Sequence, residues 1–149
     1  MRHLAPILPL VLLVACQQAA PKAASVDHAW VRLPAVADRP GAAYFTLRGG
    51  PVEDRLMTIS SPQAIRAEMH SMSMDGGMMK MAPIEGGLAV PARGEIAFST
   101  GGNHVMLFDI SPKVTPGSKM TLTFAMASGE KLEAQADVVA PGGEEPQAH

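Results

Sequence analysis

Cysteine is almost missing from this 149-residue chain: there is one, Cys16, and none after it. A single cysteine cannot pair within the chain, which excludes a disulfide-stapled scaffold. It also removes thiolate chemistry from everything beyond residue 16. Aromatic residues are scarce, with four Phe, one Trp and one Tyr. Charge is low at 17% and nearly balanced at −2, so there is no electrostatic footprint for nucleic acid. Low charge beside 47% hydrophobic residues is the wrong signature for a disordered chain. What is present in excess is methionine, 11 residues against six aromatics, a strange balance for a globular core. The length suits one domain, and no internal repeat or second domain is visible.

The first 15 residues read as an address. Met1-Arg2-His3 is a short basic start, and Leu4–Ala15 is almost wholly apolar, interrupted by Pro6 and Pro9. That run is too short for a permanent membrane span and fits the apolar region of a secretory signal. It ends Leu13-Val14-Ala15-Cys16, which resembles the bacterial lipobox, where the cysteine is acylated and becomes the mature N-terminus. The alternative is a plain signal cut elsewhere, with Cys16 discarded. Gln17 is not the aspartate that marks inner-membrane retention in enteric bacteria, which leaves the choice of membrane open. Residues 16–25 are small, polar and Pro-containing, a tether between lipid and domain. Residues 141–149 read as a loose acidic tail, and 26–140 as the domain.

Within the domain, short apolar runs alternate with turn residues. The runs are 26–33, 42–47, 56–59, 64–70, 78–84, 88–90, 95–99, 104–110, 119–127 and 131–139. Ala64–His70 alternates, with Ile65, Ala67 and Met69 expected on the core face and Arg66, Glu68 and His70 on the other. No 3.6-residue stripe persists over three turns. About nine short strands with Gly- and Pro-rich turns predict an all-β domain, an antiparallel sandwich or Greek-key barrel.

Six methionines fall between positions 69 and 81, with His70 among them (MHSMSMDGGMMKM). A second group is His104-Val105-Met106. Residues i and i+2 of a strand share a face, so His104 and Met106 can present imidazole and thioether to one point. Asp75-Gly76-Gly77 is a turn that brings His70 toward Met81. Thioether sulfur is soft, neutral and needs no deprotonation, which favours Cu(I) over Zn, Mg or Ca; imidazole suits copper as well. Thioethers cannot form disulfides, so they hold Cu(I) where paired thiols would oxidise, although sulfoxide formation would impair them. The competing explanation for any methionine is packing. Met57, Met69, Met120 and Met126 alternate with polar neighbours and are expected in the core. Met72, Met74, Met78 and Met79 flank serines, an aspartate and glycines, and either packing or a secondary copper role remains open for them.

The sequence resembles the periplasmic copper chaperone family written PCuAC. That family's pattern is His, ten residues, Met, 21 or 22 residues, His, one residue, Met. Here ten residues separate His70 from Met81, 22 separate Met81 from His104, and Val105 separates His104 from Met106. Met74-Asp75-Gly76-Gly77, Met79-Lys80-Met81, Ala29-Trp30-Val31-Arg32 and Gly41-Ala42-Ala43-Tyr44 agree with the family's text, over about residues 26–139. The resemblance implies a cupredoxin-like β-sandwich and Cu(I) held by His70, Met81, His104 and Met106. It further implies delivery toward the copper centres of respiratory cytochrome oxidases, often beside a thiol-bearing partner chaperone. The tail carries only His149, a poor basis for a second, tail-borne copper site. His28 lacks a ligand-type neighbour and reads as structural or surface; Trp30 reads as a core anchor rather than a partner of the metal.

The expected function is therefore a periplasmic, lipid-anchored Cu(I) carrier, not an enzyme. A copper-tolerance or storage lipoprotein using the same residues is the alternative, and a structural lipoprotein without metal is a further one. A blue-copper redox centre needs a cysteine thiolate, which the domain does not have. Asp75 and Asp109 are the nearby acids, neither with an evident catalytic partner. A chaperone needs reachable ligands, and His70, on the non-apolar face of its strand, is expected to be exposed.

Overall fold

The computed structural model describes residues 22–147; Cys16 and the leader, and His149 at the other end, lie outside the described residues. No helix occurs among the described residues. Ten strands form, one on each of the ten apolar runs: β1 (Ser25–Arg32), β2 (Gly41–Arg48), β3 (Asp54–Ser60), β4 (Ala64–Asp75), β5 (Met78–Pro83), β6 (Leu88–Val90), β7 (Glu95–Phe98), β8 (His104–Ile110), β9 (Lys119–Met126) and β10 (Lys131–Val139). Their hydrogen-bonded order is β5-β4-β8-β2-β1-β10-β9-β3-β6, with β7 also pairing β2. The path does not close, so of the two expected all-β forms the sandwich is found and the barrel is not. Pairing is antiparallel except between β1 and β10, which run parallel.

Alternation drives the fold. Along β9, Met120, Leu122, Phe124 and Met126 are buried while the residues between them are not. On β2, Ala43, Phe45 and Leu47 are buried on the inner face, and Tyr44 between them is buried on the opposite one. β2 and β9 are three strand spacings apart on the path, about 14 Å in a flat sheet. Yet the Phe45 and Phe124 rings meet edge-on at 4.8 Å, and Phe45 stacks on Phe98 at 4.4 Å. The sheet therefore folds over itself, and these rings occupy the space between its two halves. Trp30 is buried against Tyr44, 4.4 Å between centroids, but on the face opposite Val31 and Ala43 and under the Arg32 guanidinium, so it anchors that face and not the main core. His28 is exposed at positive φ (52°), where the β1–β2 register shifts.

Two apolar expectations fail. Met57 is exposed, although Met69, Met120 and Met126 are buried. The β3–β9 register shifts between Leu56 and Thr58, and Leu56 and Ile59 take the inward positions instead. Ile65 is exposed near the start of β4, while Met69 further along is buried as expected.

Candidate metal site

The site lies at one end of the strand order, on β5, β4 and β8. β4 and β5 form a hairpin through Gly76-Gly77, with Asp75 opposite Met78. Both glycines have positive φ, 58° and 80°, the requirement for a two-residue turn whose twist matches its strands. This turn fixes the register: Met74 opposite Met79, Met72 opposite Met81, His70 opposite Pro83. On its other side β4 pairs β8 with His70 opposite His104 and Glu68 opposite Met106.

These registers make His70 the hub. His104 is its direct cross-strand neighbour, with rings stacked at 5.9 Å between centroids and 22° between planes. Met106 on β8 and Met81 on β5 are its diagonal neighbours, a separation of about 7–8 Å that long side chains bridge. All four side chains are on the same face of the three strands, because opposed residues and residues two apart share a face. Val105 and Leu107 point the other way and are buried in the core. The four residues, distant in sequence, thus come together through hairpin geometry on one side and the β4–β8 pairing on the other.

Exposure differs across the set. Met81 is half exposed at 50%. His70, expected to be exposed, is buried at 8%. It does lie on the face away from the core, but β4 is flanked on both sides and the ring packs beside His104 and Glu68. Met106 and His104 are partly exposed. The site is therefore a buried imidazole reached past a thioether at the open edge.

Hydrogen bonds set the two imidazoles. His104 Nδ1 donates to the Gly102 carbonyl at 3.0 Å, which leaves its Nε2 lone pair available. His70 Nε2 lies 3.3 Å from Glu68 Oε2 and donates to it. His70 Nδ1 is buried and has no hydrogen-bond partner among the described residues. A buried, unpartnered ring nitrogen is costly, and a cation accepting its lone pair would offset that cost. The donor set, two imidazole nitrogens and two thioether sulfurs, is neutral and soft, so it fits copper in the monovalent state. No group of three His, Cys, Asp or Glu suited to a harder metal occurs among the described residues.

Glu68 is the residue that sequence reasoning passed over. It orients His70 and is itself held by Arg66 at 2.8 Å, whose guanidinium covers the Phe108 ring at 4.0 Å. The signal was there: an acidic residue two positions before the histidine, on the same face of one strand. Asp75 is ion-paired with Lys80, and Asp109 is exposed at positive φ (53°).

The fold is that of PCuAC domains. The apo PCuAC domain of PmoF2 is similar with a TM-score of 0.68 and 21% identity, over 85% of this chain and 98% of that one. The copper-bound PCuAC domain of PmoF2 gives 0.65 and 21%, over 83% and 97%. Cu(I)-bound DR1885 from Deinococcus radiodurans gives 0.55 and 26%, over 85% and 83%. In sequence, residues 24–138 match the family described as "Putative lipoprotein LpqE-like", and the chain belongs to this LpqE-like family. No curated protein matches the chain in sequence.

Proposed function

We propose that this protein is a Cu(I) metallochaperone that holds the ion with His70, Met81, His104 and Met106. The observation that carries the reading is the stacked His70–His104 pair, with His70 Nδ1 buried and unpartnered, flanked on the same face by two thioethers. The copper-bound relatives of the same fold support it. Met81, half exposed on an edge strand, is the ligand an acceptor displaces first: transfer proceeds by ligand exchange, the Cu–S bond to Met81 breaking as an acceptor donor binds Cu(I), with no change of oxidation state. The protein is accordingly a carrier, not an enzyme. Its recipients are the copper-bearing centres of respiratory cytochrome oxidases, with a thiol-bearing chaperone as partner. Its location is the periplasm, where acylated Cys16 anchors it to a membrane.

The test is competitive Cu(I) titration of the soluble domain, wild type against a His104→Ala, Met106→Ala double variant. One tightly held Cu(I) in wild type, lost in the variant, supports the reading. Equal binding by both sinks it. The exposed methionines of the β4–β5 hairpin favour storage as the second reading. A store would load several ions of similar affinity, whereas a carrier has one tight site.

A further inference from the structure

The hairpin has two faces, and they differ in chemistry without differing in burial. One carries Met72, Met74, Met79 and Met81; the other carries Ser71, Ser73, Asp75, Met78, Lys80 and Ala82. Every residue of β5 is exposed, and so is Met74, at 67%, opposite Met79, at 51%. Burial therefore does not explain why one face is all thioether. The usual residues of an apolar docking patch (Leu, Ile, Val, aromatics) are absent from that face.

The ladder pattern places these methionines in closest opposition. Ile84 N–H donates to the Met69 carbonyl at 2.8 Å, so Met69 and Ile84 face each other across hydrogen bonds. Alternation then makes His70/Pro83, Met72/Met81 and Met74/Met79 the non-hydrogen-bonded pairs, whose side chains approach most closely. Each pair is about 7 Å from the next along the strands. Lys80, the one cation between Ser71 and Pro83, is on the far face and ion-paired with Asp75. The Met face presents soft sulfur with no competing positive charge.

We propose that Met74 and Met79 form a second, weaker site for a soft monovalent cation at the hairpin tip. Cu(I) exchanges from it to the His70 site through the Met72/Met81 pair. This rests on the copper-carrier reading only for the exchange step. The pairing of two exposed thioethers stands by itself.

The experiment labels the methionine methyls with carbon-13 and titrates the soluble domain anaerobically with Cu(I), following methyl and amide spectra. In wild type the first equivalent shifts the Met81 and Met106 methyls, and the second shifts Met74 and Met79. In a Met74→Leu, Met79→Leu variant, which keeps apolar area, the first equivalent binds as before and the second is lost. In the His104→Ala, Met106→Ala variant the Met74 and Met79 shifts persist. The inference is overturned if the second equivalent leaves Met74 and Met79 unmoved, if the leucine variant retains it, or if those shifts vanish with the first site. Failure of the first equivalent in wild type sinks the carrier reading instead, and the Met74 and Met79 shifts still judge the tip site separately.

Discussion

Glu68 shows how much a single side chain can decide. It directs the His70 proton to Nε2 and leaves Nδ1 as the lone pair facing no protein partner. Groups that orient a ligand in this way are typically worth about 10–100-fold in metal affinity. Glu68→Ala should weaken Cu(I) binding by about that factor in competitive titration, with the far-ultraviolet circular dichroism unchanged. Met81→Ala should also weaken Cu(I) binding. Because Met81 is half exposed, its loss should change stability by no more than about 0.5 kcal/mol in urea unfolding. A Met81→Ala variant that unfolds early would place the residue in the core and contradict the register given above. The histidines and methionines themselves were legible from spacing. Glu68 was legible only as sharing a face with His70, because a strand alternation shows which residues share a face but not which of them touch.

At the scale of the element, the β4–β5 hairpin determines whether the proposed ligands meet. One residue added to the Gly76-Gly77 turn would slip the register and move Met81 to the other face. A milder change makes the same point: Gly76→Ala with Gly77→Ala forces side chains into positive φ, at a cost of about 1–2 kcal/mol each. That variant should lose Cu(I) affinity through the hairpin while amide exchange in β9 and β10 stays protected. The β9–β10 turn is held differently. Asp54, at the start of β3, accepts from the Ser128 hydroxyl at 2.5 Å, from the Arg55 amide at 2.7 Å and from the Ser128 amide at 3.1 Å. These bonds, the hydroxyl foremost, hold its carboxyl below the ordinary value of 3.8. A carboxylate held low in the folded state stabilises the fold above its ordinary value. That contribution disappears as pH falls through the folded value. Urea midpoints measured from pH 5 downward should therefore fall more steeply below 3.8 in wild type than in Asp54→Asn. Equal slopes would remove the clamp from the account.

At the scale of the molecule, core and site are separable. The core is the fold-over that brings Phe45, Phe98 and Phe124 together, and Phe124→Ala should cost about 3–5 kcal/mol in urea unfolding. The site is on the outer face of the terminal strands, so substitutions there should leave that core intact. Most strand positions were legible, because turn residues and period-two alternation are local signals. The strand partners were not. The parallel β1–β10 pairing joins the two ends of the domain, and nothing local in Trp30–Arg32 or Asp137–Val139 names the other. Met57 and Ile65 were misplaced for a related reason: a register shift or an exposed strand end overrides an alternation that looks regular in sequence.

By itself the sequence determined the donor chemistry of the proposed site. A domain with no thiol after Cys16, rich in thioethers and with two histidines at a set spacing, offers a neutral, soft donor set suited to a monovalent ion. It also determined the hairpin, since two adjacent glycines allow the tight turn that strands of this twist require. Only the tertiary structure decided that His70 is the buried hub and that Glu68 orients it. It also decided that four methionines line one open face. These facts depend on which strands lie beside β4, and that choice is made by burying Val105, Leu107 and Phe124 in a shared core, a long-range event that no local pattern records.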